Sequence, residues 1–336
     1  MAARQADLAA KLGLTQGTVS RALRGQAGVS RELRKRVQEA ARRAGYVRRR
    51  GAAAGEALLP RRTGVICVDV PRVNEWLARL LDGIVRGAGE TGHEIITSVH
   101  AYGTLPQVVL RGQVDGLIRM LSQCDYVRRI PPLPRSPVPT VSILYPAPGA
   151  DVVGVDHFGS ARALGLYLGG MGHSIAACVG HSEPIGRARL SGIRCGLEER
   201  GVALPPDLVR VEEALEAAVV MPLVEELLDL RAAGRPGQQF TLMAFYNDYL
   251  ARHAIAVIRA RGLRVPEDIG VAGYDDLDMP VARDVRLTTV HLPLEELGAE
   301  AVRRVHWRMG HPSAPPLHWL LETRVVEGDS VVARSA

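Results

Sequence analysis

The chain has 336 residues, 47% hydrophobic and 23% charged, with 35 Gly and 21 Pro spread through it. That composition is globular, and the length exceeds one ordinary core and suits two or three compact units. No stretch combines a basic start, an apolar run and a small-residue cleavage site, and no apolar run nears the roughly 20 residues of a bilayer span, so a cytoplasmic protein is expected. The net charge of +6 is uneven: 15 of the 42 Lys+Arg but only 4 of the 36 Asp+Glu precede Thr63, which makes that head +11 and leaves 27 against 32, or −5, behind it. A basic head on a mildly acidic body points to a polyanion-binding module joined to something that does not touch nucleic acid.

The head is patterned to fold. In QADLAAKL, Leu8 and Leu12 give a short helix one apolar stripe, and Gly13 ends it. Thr15 can cap a second helix, QGTVSRAL, where Val19 and Leu23 repeat the same spacing. Ser30 is placed to cap a third helix with Leu33, Val37, Ala40 and Ala44 facing inward, before Gly45 stops it and Tyr46 packs back. Two helices joined so tightly form a helix-turn-helix, whose second helix enters the major groove. The outward set is Thr15, Gln16, Gly17, Thr18, Ser20, Arg21 and Arg24. Gln16 suits adenine and Arg21 guanine, while Thr18 and Ser20 suit phosphate oxygens.

Beyond residue 62, short apolar runs alternate with helical patterns. TGVICVDV is followed by a helix from about Trp76 to Thr91, then HEIITSV, then a helix leading to VDGLIRM. The rhythm pauses at the proline-rich 131–139 and resumes with TVSIL, VVGVD, a helix near 159–171 and IAACVG. LSGIRCGLEERG, TLMAFY, DYLARHAIAVIRARG and IGVAGYDD continue it. This βαβ rhythm predicts two doubly wound parallel-sheet lobes, with a ligand cleft beyond the carboxyl ends of the strands. The polar groups at those ends are Asp69, Asp156, Asn247, Asp248, Asp275 and Asp276.

The stretch ADLAAKLGLTQGTVSRALRG, followed by VS, a basic helix and AGY, resembles the headpiece of the LacI/GalR family of bacterial repressors nearly position by position. The resemblance extends through VDGLI, VGVDHFGSAR with GH at 172–173, RARLSGI, the run from Asn247 to Asp276, and LTTV with EELG. It implies a helix-turn-helix headpiece over 1–47 and a hinge over 48–62. It further implies a sensor fold like that of periplasmic sugar-binding proteins, its N-lobe built from 63–157 and 291–318 and its C-lobe from 158–290 and 319–333. The family's hinge forms a helix on DNA, with a leucine wedged into the minor groove. Here Gly55 stands at the wedge position, so Arg48, Arg49 and Arg50 are expected to hold phosphate by charge, and without DNA the hinge is either helix or linker. Effector contacts carried over from the family are Arg189, Asn247, Asp248 and Asp275, with Trp76 as an aromatic lining the cleft. Carboxylates, an amide, a guanidinium fork and a ring suit sugar hydroxyls and sugar faces. Asp248 and Asp276 can equally cap following segments, and Trp76 can be lobe core. Asn74-Glu75 for the family's asparagine-proline, the bulky Tyr246, and His291 and Leu292 depart from the family pattern.

The expectation is therefore a sequence-specific transcriptional regulator, acting as a repressor through a small effector such as a sugar. It would be a homodimer or tetramer on an approximately palindromic operator. The alternatives are a regulator of the same fold governed by a protein partner or by no effector, and a solute-binding protein. Catalysis is not expected. GHSEP at 180–184 lacks the second glycine of a nucleophile elbow, no phosphate loop occurs, and His306 and His311 are spaced off one helical face. Cys67, Cys124, Cys178 and Cys195 form no CxxC pair and read as reduced small hydrophobes, so neither metal nor cofactor is expected.

Overall fold

A computed structural model describes residues 5–24, 28–43, 62–70, 75–99, 104–120, 136–147, 149–213 and 215–334. The chain divides into two compact units, Met1–Arg62 and Thr63–Ala336.

The first unit holds three helices, α1 (Gln5–Leu12), α2 (Gln16–Arg24) and α3 (Arg31–Arg43). Gly13, at φ +66°, lets the chain leave α1 in the left-handed region. The Thr15 hydroxyl then accepts the Thr18 N–H at 3.2 Å, and the Ser30 hydroxyl accepts the Leu33 N–H at 3.2 Å. Leu8, Ala9, Val19, Ala22, Leu23, Val37 and Ala41 form the buried core. The third helix differs from expectation in one place. Ala41, four residues after Val37, takes the buried position, while Ala40 and Leu33 only flank the core; Ala44 and Tyr46 lie outside the described residues.

The second unit contains two parallel sheets. The first joins β1 (Val65–Val70), β2 (Glu94–Val99), β3 (Gly116–Met120), β4 (Thr140–Ile143), β5 (Asp151–Val155) and β11 (His318–Leu321) in the order β11-β5-β4-β3-β1-β2. The second joins β6 (Ala176–His181), β7 (Val209–Glu212), β8 (Leu242–Phe245) and β9 (Gly270–Ala272) in the order β7-β6-β8-β9. A small antiparallel pair, β10 (Thr289–His291) with β12 (Arg324–Val326), completes the strands. Strands such as Ala176–His181 are buried on both faces, which is why they read as apolar runs without alternation.

Helices cover these sheets: α4 (Glu75–Thr91), the single turn α5 (Gln107–Leu110), α6 (His157–Gly169), α7 (Pro184–Glu198), α8 (Ala217–Ala232), α9 (Asp248–Ala260) and α10 (Leu294–Gly310). Glycines set how closely two pairs approach. A Cβ on Gly298 of α10 would stand 2.2 Å from the Leu80 carbonyl oxygen of α4, and one on Gly196 of α7 would stand 2.3 Å from that of Arg162 on α6. The Asp156 carboxylate caps α6 by accepting the Gly159 N–H at 2.9 Å, so this helix starts at His157, two residues earlier than its apolar pattern suggests.

Two further differences concern the later elements. The expected rhythm runs from the helix ending near Gly201 straight to TLMAFY, whereas β7 and α8 intervene; Pro222 inside α8 hides its helical period. The expected lobe boundary after residue 318 falls inside β11, all four of whose residues pair with β5, so the first sheet keeps this strand through Leu321. Asp151 secures the approach to it, accepting from Arg304 at 2.6 Å, from Arg308 at 2.8 Å and from the Leu317 N–H at 2.8 Å.

Candidate DNA-reading face and effector cleft

On α2, Val19, Ala22 and Leu23 are turned into the headpiece core, which by helical geometry leaves Gln16, Gly17 and Arg21 exposed and Thr18 and Ser20 half-buried. The Thr15 and Thr18 hydroxyls lie 2.9 Å apart, so capping pre-positions both at the start of the helix. The helix carries no acidic residue in its first turn. Among the described side chains, this face offers one amide, one arginine and three hydroxyls to a polyanion. Arg24 closes the helix. Arg48, Arg49 and Arg50 lie outside the described residues.

In the larger unit, the carboxyl ends of the second sheet bring Arg189 and Asp275 together. Arg189 projects from α7 and is almost fully buried. Its Nη2 donates to Asp275 Oδ1 at 3.0 Å and its Nη1 to the Tyr246 carbonyl at 2.8 Å. The guanidinium carbon stands 3.7 Å from the Tyr274 ring centroid and 4.8 Å from that of Tyr246. Burial opposes the charge on Arg189, but Asp275 and the surrounding tyrosines outweigh it and raise its pKa. Burial pushes Asp275 up to about 6 against the pull of Arg189. Asp275 and Asp276 have φ of +113° and +57°, a left-handed excursion that turns one carboxylate inward and the other toward His291, whose Nδ1 lies 2.8 Å from Asp276 Oδ2.

The other expected contacts are occupied by the fold. Asn247 caps α9, its Oδ1 accepting the Leu250 N–H at 3.0 Å. Asp248, buried beside it, accepts the Leu277 N–H at 2.8 Å and the Thr289 hydroxyl at 2.6 Å. Burial, and then Asp275, push Asp248 up to about 7. Trp76, near the start of α4, is half-buried against the main core. Arg189 and Asp275 thus form a buried ion pair at the strand ends, whereas Asn247 and Asp248 spend their side chains on holding α9 and the strands around it.

A second buried group has no counterpart in the sequence reading. Glu183, at the entry to α7 and wholly buried, accepts from the Tyr246 hydroxyl at 2.6 Å and from the Tyr145 hydroxyl. His181 Nδ1 accepts the Glu183 N–H at 3.2 Å, so its N–H sits on Nε2 and points to the Glu213 carbonyl at 3.0 Å. Tyr246, bulky where a small residue was expected, is therefore a wall of this group. Tyr145 and Glu183 come from separate loops without local pattern, so no sequence signal joins them.

Residues 6–49 match the family described as bacterial regulatory proteins, lacI family, and residues 167–331 match a periplasmic binding protein-like domain. The transcriptional regulator CelR of Thermobifida fusca is 31% identical over 343 residues, covering 96% of either chain. The chain belongs to the LacI family. A further LacI-type relative, the transcriptional repressor CytR of Escherichia coli K12, is 28% identical over 323 residues, covering 90% of this chain and 88% of its own. Among solved structures, a CelR–cellobiose complex superposes with a TM-score of 0.67 at 26% identity, covering 98% of this chain and 99% of that one. The lac repressor dimer bound to operator and an anti-inducer gives 0.62 at 22% identity over 99% of this chain and 100% of that one, which shows the shared fold. Among the described residues, no helix is long and apolar enough to cross a membrane.

Proposed function

We propose that this LacI-family chain is a sequence-specific repressor that binds an approximately palindromic operator as a homodimer and is controlled by a small effector of the sugar class. The observation that carries this reading is one chain holding both parts. A headpiece exposes Gln16, Gly17 and Arg21 on its second helix, and a body buries Arg189 against Asp275 at the strand ends. CelR, similar over nearly the whole length, is known in complex with cellobiose, which supports a saccharide as effector.

On DNA, Gln16 reads adenine and Arg21 reads guanine in the major groove, while Thr15, Thr18, Ser20 and Arg24 hold phosphates and Gly17 keeps the backbone close. In the cleft, Arg189 and Asp275 donate to and accept from ligand hydroxyls, with Tyr246, Tyr274 and Trp76 as apolar walls. Asn247 and Asp248 act as positioning residues for that edge. Effector binding shifts the sensor between two arrangements that hold the paired headpieces in or out of register with the half-sites.

Selection of genomic fragments by the purified chain at fixed salt tests the reading, repeated with cellobiose and other saccharides. The expected result is tight selection of a palindrome, altered by one saccharide. Selection of no sequence would overturn it.

A further inference from the structure

Taking the cleft as an effector site, the charges at the strand ends narrow what it can hold. Each buried arginine there already holds a carboxylate or a backbone carbonyl. Arg119 on β3 donates from Nε to Asp69 at 3.2 Å and from Nη2 to the Thr104 carbonyl at 3.1 Å. Arg189 is divided between Asp275 and the Tyr246 carbonyl. Arg252, one turn into α9, donates from Nη1 to the carbonyls of Val281, Ala282 and Val285, while its Nε has no partner among the described residues. Acceptors are in surplus: Glu183 has two tyrosine hydroxyls and no guanidinium among its described partners, and Asp248 has a threonine hydroxyl and an amide.

Against this background, the strand ends gather buried polar atoms that have no hydrogen-bond partner among the described residues. His157 opens α6 just past the end of β5, is 8% exposed, and has both ring nitrogens buried without a hydrogen-bond partner. The Nε of Arg189 is likewise buried and unpartnered. Both flank Tyr274, whose ring centroid is 6.2 Å from that of His157 and 3.7 Å from the Arg189 guanidinium carbon. Most buried polar groups in folded chains are paired, so three such atoms beside one ring mark a vacancy for a ligand.

We propose that the cleft takes a neutral hydroxylated ring, an unphosphorylated sugar, and rejects its phosphate ester, with His157 as the residue that reads a ligand hydroxyl. A neutral imidazole carries one N–H and one lone pair, and a hydroxyl satisfies either. Burial, reinforced by the charge of Arg189, lowers the His157 pKa to about 2, so the ring keeps both functions at neutral pH. A phosphate would bring nearly two negative charges beside Glu183 and Asp275, where the one guanidinium beside His157 is already paired with Asp275, and a buried charge without a counter-charge is strongly disfavoured.

Calorimetry on the full-length protein tests this with glucose, ribose and cellobiose, each against glucose 6-phosphate, ribose 5-phosphate or cellobiose phosphate. The expected result is that a neutral sugar binds and its ester binds about 100-fold more weakly. His157→Phe, which keeps a ring and loses both nitrogens, should weaken sugar binding about tenfold and leave operator affinity without sugar unchanged; His157→Asn, with a donor and an acceptor, should restore most of it. An ester that binds as tightly as its parent, no neutral sugar binding at millimolar concentration, or full affinity in His157→Phe would each overturn the proposal. Operator affinity is measured in parallel. A sugar that binds without altering it contradicts the repressor reading and leaves this one standing, whereas an ester that releases operator does the reverse.

Discussion

Gly17 occupies the exposed face of α2, and a Cβ there would meet only Thr15 Oγ1, at 3.9 Å. Since glycine in a helix costs roughly 1 kcal/mol relative to alanine, Gly17→Ala should raise the headpiece melting temperature yet weaken operator binding, because the methyl group stands where the bare backbone meets DNA; unchanged operator affinity would contradict that role. Arg21→Ala should cost about 1–3 kcal/mol of operator binding and relax the preference at one base pair, read by selection from randomised half-sites. Asp248 supplies a pH test. Its carboxyl is raised to about 7 from an ordinary 3.8, so the folded state holds its proton more tightly than the unfolded chain. The stability this confers is complete below about pH 4 and is lost as pH rises toward 7, by a few kcal/mol at most. Asp248→Asn should therefore flatten the fall in melting temperature between those values; an unchanged pH profile would contradict it. At this scale, strand-end position brought Asp275 into view, and the family resemblance added Arg189, which lies on a helix and carries no strand-end signal. The same rule selected Asn247 and Asp248, whose side chains turn back to cap and anchor, a choice made by backbone geometry that composition does not report.

Elements built on strong periods were legible, and those without were not. The three headpiece helices, the buried strands and α9 follow apolar spacing that is strict over one or two turns or fully apolar over a strand. Helix α8 was not, because Pro222 interrupts its pattern, and β11 was not, because its Trp319 and Leu320 lie exposed on an edge strand instead of in a core. The close pairing of α4 with α10 had no sequence signature beyond isolated glycines. Gly298→Ala would drive a methyl group into the Leu80 carbonyl and should cost about 1–3 kcal/mol, seen as a drop of several degrees in melting temperature. A melting temperature equal to wild type would show that the two helices can part at no cost.

For the whole molecule, the basic head and acidic body divide the work between phosphate attraction and ligand sensing, so operator affinity should fall steeply with salt whereas effector affinity should not. A saccharide that drives the repressor off DNA must bind the free protein more tightly than the operator-bound protein, and by the same factor that it weakens operator binding. The measurement that tests this most directly is effector affinity determined twice on the same preparation, without operator and with operator at saturation. The account predicts two values that differ by the factor measured for operator release. Equal values would show that the sensor and the headpiece are uncoupled and would contradict it.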